Sequence, residues 1–227
     1  MIQRDKLLKN YSGSCPIFPL PDFVMFPASG NEFTIFEPRY IEMIDYILDR
    51  ERLLTISLLK PGWQDNYEGS PQINDIGTLG YVSKVEKLKD GKYFIVLIGL
   101  DKVLINETEK SHNFRIGATT SLGEITTAPD EVEMSEILLN RFFDLVESKI
   151  DESIIQYIEE PDNSLQMLVN IISMAMPIPA EEKQKLLELP EISLRYEVLL
   201  HFIDAEIKLN NDIIDFIPIL PFDDLIN

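Results

Sequence analysis

Along roughly the first half of the chain, apolar positions come in short runs broken by proline and glycine, the spacing of strands. Cys15-Pro-Ile-Phe-Pro-Leu20 is one such run, and its two prolines, which lack an N–H to donate, predict an edge strand. Phe33-Thr-Ile-Phe36 alternates and then meets Glu37-Pro38. Proline suits the first position of a helix, where its missing N–H would go unbonded anyway. Tyr40, Ile41, Ile44, Ile47 and Leu48 recur at helical spacing from there, predicting a helix through Arg52. Leu53-Leu-Thr-Ile-Ser-Leu-Leu59 is the continuous apolar run of a buried strand, stopped by Pro61-Gly62.

The strand signal strengthens from Ile76. Leu79-Gly-Tyr-Val82 leads to Val85, and Asp90-Gly91 supplies positive φ angles for a tight hairpin turn into Tyr93-Phe-Ile-Val-Leu-Ile98. Gly99 predicts a bulge or bend before Val103-Leu-Ile105, and Phe114-Arg-Ile-Gly-Ala-Thr-Thr120 is a further strand. Several strands with one early helix point to a closed or partly closed barrel, since closure protects hydrogen-bonding edges.

The period then changes. Ile137, Leu138, Phe142, Leu145 and Val146 form a stripe within Val132–Ile150. Asn163, with Gln166 in the position of a capping box, opens a second helix carrying Leu165, Leu168, Val169 and Ile172. Pro177-Ile-Pro179 breaks it. A short helix follows over Ala180–Leu189 and a longer one over Ser193–Leu209, with Leu194, Val198, Phe202 and Ala205 as its stripe. Short links favour antiparallel packing into a small bundle. The expected fold is therefore α+β: a β-barrel over residues 1–122, a helical bundle over 123–209 and a tail over 210–227, with linker character at Thr126-Thr-Ala-Pro129. Two prolines interrupt the apolar stretch Ile213–Phe222, so it cannot be a regular helix. It is expected to pack back in extended form or to dock into another chain, including a second copy.

Charge sharpens the division. The net charge is −19. Residues 1–122 hold 14 Lys and Arg against 16 Asp and Glu, whereas residues 123–227 hold 6 against 23. Nucleic acid is an unsuitable partner, because phosphate binding needs clustered cations and neither half has a basic run. The acidic bundle reads as a solvated surface. No apolar run is long enough to span a bilayer, and Met1–Ser14 is too polar for a signal peptide, so a cytoplasmic, non-membrane protein is expected. Cys15, the single cysteine, precludes an intrachain disulfide.

Candidate chemistry is sparse. There is no Gly-x-x-x-x-Gly-Lys-Ser/Thr phosphate loop. His112 and His201 are too few for a histidine triad or a zinc cage; the first reads as a solvated turn residue and the second as a structural residue of the last helix. The pairs Glu159-Glu160 and Glu181-Glu182 fall at helix ends, where acids stabilise the dipole without catalysis. No catalytic residue, metal or cofactor is expected. Glu37 and Arg39 read as an ion pair at the strand-to-helix corner. Trp63 and Tyr67 lie in the long loop Pro61–Pro71, and two readings stay open for them: contacts to a bound peptide, or a lid folded onto the core.

Ile17-Phe-Pro-Leu-Pro21, Val24-Met-Phe-Pro27 and Ile35-Phe-Glu-Pro-Arg-Tyr40, followed by Gly77-Thr78, Asp90-Gly91 and Ile98-Gly99 with Lys102, resemble the N-terminal substrate-binding domain family of Lon proteases. Met176-Pro177 followed by Glu182–Glu188 resembles the segment after the strand domain in that family. Ala28-Ser29 stands where a glycine is usual, and Lys102 where arginine is common. The resemblance spans about Cys15 to Leu209, most like the stand-alone members. It implies a PUA-like pseudobarrel followed by a helical bundle. It also implies a non-catalytic module that binds protein or unfolded polypeptide segments, without the family's ATPase and protease domains. Two alternatives remain: an RNA-binding PUA-like protein, disfavoured by the charge count, and an unrecognised hydrolase.

Overall fold

The computed structural model describes residues 2–67, 69–109, 112–125, 130–146, 155, 157–160 and 163–209. The linker at 126–129 and the tail at 210–227 lie outside the described residues.

The strand half contains β1 (Ser14–Leu20), β2 (Gly30–Ile35), β3 (Leu53–Leu58), β4 (Ile76–Lys87), β5 (Tyr93–Glu109) and β6 (Arg115–Ser121). Their order is β2-β5-β4-β3-β1-β6, and β5 pairs again with β6, so hydrogen bonding runs round a ring of five strands with β2 on its outer flank. All pairs are antiparallel except β1 with β3. β1 is thus a central strand, not the expected edge strand. Its prolines are tolerated because its two neighbours are staggered. β6 covers Ser14–Ile17, which includes Pro16, and β3 covers Ile17–Leu20, which includes Pro19. Each proline therefore has an unpaired side on which a donor is not needed.

β5 achieves its length by bending. Leu79 pairs with Asp101 and Gly80 with Gly99, which leaves Leu100 as the extra residue of a bulge. The strand doubles back against Phe26-Pro27 here: a Cβ on Gly99 would sit 2.3 Å from the Phe26 carbonyl oxygen, so only glycine fits. Opposite it Ala28 holds a left-handed φ of 62° and donates its N–H to the Gly99 carbonyl at 2.9 Å. That φ gives a physical reason for glycine being usual after Phe-Pro. The β4–β5 hairpin differs from the expected turn. Gly91 alone is left-handed (φ 84°), and its N–H reaches the Leu88 carbonyl, so one positive φ suffices.

Two helices, not one, serve this half. α2 (Pro38–Leu48) opens at Pro38 as predicted and buries Tyr40, Met43, Ile44 and Ile47 against Phe18, Leu54, Ile95 and Leu97. α1 (Ile2–Leu8) is too short to display a period. Leu7, Leu8 and Tyr11 pack on the other face of the sheet, against a core that includes Ile17, Leu53 and Ile98, and Arg4 pairs with Asp101 at 2.6 Å.

The second half contains α3 (Glu131–Val146), α4 (Leu165–Ala175), α5 (Ala180–Glu188) and α6 (Ile192–Leu209). Two sequence expectations change. Ser164, not Asn163, caps α4 by accepting from the Met167 N–H, while Asn163 turns back to the carbonyls of Tyr157 and Ile158. On α6 three residues of the expected stripe face outward, Leu194 (41% exposed), Val198 (39%) and Ala205, while Phe202 is half-buried against the core. The buried face is Ile192, Arg195, Tyr196, Leu199 and Ile203. Both stripes have helical spacing, and the inner one was disguised by an arginine. α3, α4 and α6 share one core of Leu138, Phe142, Leu168, Ile172 and Leu199. A separate cluster joins the halves: Val24 and Phe26 from the β1–β2 connection and Leu58 from β3 meet Met174, Leu186 and Leu187.

Candidate functional site

The β2–α2 corner carries the first group of candidate residues. Glu37 is the N-cap position of α2, in extended backbone, and its side chain makes no cap bond because it is engaged elsewhere. One carboxylate oxygen pairs with the Arg39 guanidinium at 2.8 Å, and the other accepts from the Tyr67 hydroxyl at 2.7 Å. Arg39 lies over both the Tyr40 and Tyr67 rings, 4.7 and 5.0 Å from their centroids, and also donates to the Tyr67 carbonyl. Tyr67 meets Trp63 edge-on at 5.6 Å, within a loop whose Trp63–Asn66 forms a 3-10 turn. Both aromatics are half-buried against the core that includes Leu59 and Ile73. The expected Glu37–Arg39 pair is present, and it holds the loop to the helix as well as fixing the corner.

Beside this corner is a cleft of about 250 Å³. Pro19, Arg39, Tyr40, Glu107, Phe114 and Arg115 line it, together with Gly69-Ser70 and His112-Asn113. Arg115 is anchored by Glu107 at 3.2 Å and by the Pro71 carbonyl at 2.6 Å. His112 is half-buried, stacked on Phe114 at 4.8 Å and edge-on to Tyr46, so it is not the solvated turn residue expected from sequence. Tyr40 is 5% exposed, and burial holds its phenol up at about 12. Its hydroxyl has no hydrogen-bond partner among the described residues. His201 is exposed on α6, with Nδ1 2.9 Å from the Glu197 carbonyl oxygen. Among the described residues no group of three His, Cys, Asp or Glu is placed to hold a metal. No described helix is long and apolar enough to cross a membrane.

Sequence reasoning missed a buried polar junction between the halves. The Glu124 carboxylate accepts from Arg195 at 2.5 Å, Gln166 at 2.7 Å and Asn170 at 3.0 Å, and Lys102 Nζ lies 3.9 Å away. Arg195 also donates to Asn170 and to the carbonyls of Leu186, Leu187 and Leu189. Lys102 donates to the Leu189 carbonyl at 2.8 Å. Two cations thus close the C-terminal end of α5, where the helix dipole is negative. Burial, then Arg195, push the Lys102 ammonium down to about 8, with Glu124 opposing. Among the described residues Lys183 bonds only the Met174 carbonyl, and burial lowers its pKa to about 7. One signal was available: Arg195 falls three residues after Ile192, on the apolar face of its own helix. Lys102 was marked only as the basic position of the family pattern, and Glu124 carried no signal.

The sequence profile of the ATP-dependent protease La (LON) substrate-binding domain matches residues 14–205, taking in both halves and the cleft. The chain belongs to this family. Among Lon proteases, that of Xanthomonas oryzae is 25% identical over 200 residues and Lon protease 2 of Desulfotalea psychrophila 24% over 198. Those alignments take up 85% and 86% of this chain but 23% and 25% of the relatives, so the chain spans about a quarter of their length. The N-terminal domain of the Mycobacterium avium complex Lon protease superposes with a TM-score of 0.68 at 15% identity, covering 84% of this chain and 98% of that one. A Lon N-terminal domain protein from Xanthomonas campestris gives 0.59 at 16% identity, covering 83% and 97%. The Lon substrate-binding-domain fold thus accommodates this chain's strands and helices together.

Proposed function

We propose that residues 14–205 form a non-catalytic recognition module that binds segments of other polypeptides, unfolded ones above all. The observation that carries this reading is the extent of the family match: it covers the strand ring, the junction and the helices as one unit, and the family is defined by substrate binding. In this reading the strand ring is a PUA-like pseudobarrel, residues 1–122 and 123–209 act as two joined lobes, and the module works in the cytoplasm without nucleic acid, membrane or cofactor. Trp63 and Tyr67 sit where a peptide would run past the Arg39 corner, and large half-buried aromatics of this kind dominate interface energies. Tyr67 is already bonded to Glu37, so Trp63 has the greater freedom to contact a ligand.

The test is binding of a permanently unfolded protein, reduced and carboxymethylated, compared with its native form. The unfolded form is expected to bind and the native form not to bind. Trp63→Ala is expected to weaken binding by about tenfold or more with the fold intact. Equal binding of both forms, or of neither, would overturn the reading, as would turnover of casein by the purified chain or a salt-dependent shift with RNA in place of polypeptide.

A further inference from the structure

We infer that the cleft between α2 and the start of β6 is a carboxylate-binding subsite that takes the terminal or acidic group of a bound polypeptide. The inference rests on the polypeptide-binding reading and names the chemistry recognised at one end of the ligand. Two cations from different elements line this cleft, Arg39 on α2 and Arg115 on β6. Each is clamped in place by its own acid, Glu37 and Glu107 respectively, and by a backbone carbonyl, Tyr67 and Pro71 respectively. A guanidinium has five N–H donors. Among the described residues Arg39 uses three of them and Arg115 two, so both keep donors in hand while their planes are fixed.

The second observation is Tyr40. Its ring is buried among Phe18 and the α2 core, while the side chain reaches the cleft wall, and among the described residues its hydroxyl has no hydrogen-bond partner, so it is open to a ligand in the cleft. A carboxylate is acceptor-only and takes several donors at once, which is what a phenol O–H and two forked cations supply. Burial keeps that phenol protonated, and therefore a donor, throughout the neutral range.

Size and lining set the rest of the ligand. At about 250 Å³ the cleft is below the roughly 300–1,000 Å³ of sites for drug-sized ligands, so it takes one residue and its carboxylate rather than a cofactor. Phe114, Pro19 and the Tyr40 ring offer that residue apolar contact, and Gly69-Ser70, exposed and two residues on from Tyr67, belongs to the same lining.

The experiment uses the full chain and fluorescence anisotropy with short peptides labelled at the N-terminus. One ends in phenylalanine with a free carboxylate, one is its C-terminal amide, and one is the amide with a glutamate in place of the last residue. The unfolded protein of the preceding test serves as the reference ligand. The free acid is expected to bind roughly tenfold tighter than the phenylalanine amide. Tyr40→Phe, which keeps the ring and the packing, is expected to remove most of that difference. Arg115→Met should act likewise. If the glutamate amide matches the free acid, the subsite takes acidic side chains as well as termini. Equal binding of the acid and both amides overturns the carboxylate subsite while leaving polypeptide binding standing, as does capture of the unfolded protein with no peptide binding. Failure of every ligand, the unfolded protein included, overturns both.

Discussion

Glu124 is the residue on which the junction turns. It is the carboxylate that faces Arg195 and Lys102, with side chains that are 3%, 0% and 2% exposed. A buried ion pair is not in itself a large stabiliser, but removing one partner leaves an uncompensated charge. Glu124→Gln keeps the shape and the hydrogen bonds to Gln166 and Asn170 within reach. It is nonetheless expected to cost about 3–5 kcal/mol in urea denaturation at neutral pH. Lys183 makes a different prediction. Its folded pKa of about 7 lies below the ordinary 10.5, so between those values the unfolded chain binds more protons than the folded one. Stability from this residue therefore rises as pH increases from about 7 toward 10, and is lost again as pH falls back through that window. Lys102, held at about 8, acts in the same direction over the upper part of it. Denaturant midpoints measured across the window should climb, and Lys183→Met should flatten the climb.

Between elements, the tightest contact is where β5 bends past the Phe26-Pro27 backbone. Gly99→Ala would drive a methyl group into a carbonyl oxygen, which cannot swing aside as a side chain would. A loss of about 1–3 kcal/mol is expected, read as a lower Tm with an unchanged far-ultraviolet spectrum. That glycine was legible as a bend because a glycine inside an apolar run has few other uses. The start of α2 was legible for a similar reason, since Glu37-Pro38 constrains the backbone locally. The place of β1 was not: its prolines disfavour a central strand, and only the stagger of β3 and β6 about it removes the conflict. The inner face of α6 was misread because hydrophobic periodicity treats arginine as outward, whereas here Glu124 and three helix-end carbonyls receive it.

At the scale of the whole molecule, the apolar cluster of Phe26, Leu58, Met174 and Leu187 and the Glu124 junction bind the halves together despite their contrast in charge. Unfolding is expected to be a single transition. The one tryptophan, Trp63, reports the strand half by fluorescence and circular dichroism reports the helices, so the two curves should coincide. Separate midpoints would show that the junction does not couple them. Local order along the chain determined a good deal: which stretches are strands or helices, where α2 begins, the acidic character of the bundle and the family resemblance, because each depends on residues near one another in sequence. Tertiary structure alone decided the ring closure of β5 on β6, the buried face of α6, the Glu124–Arg195–Lys102 junction and the meeting of Arg39, Tyr40 and Arg115 in one cleft. Those features join residues tens of positions apart, and whether a charge may be buried depends on partners that no local window contains.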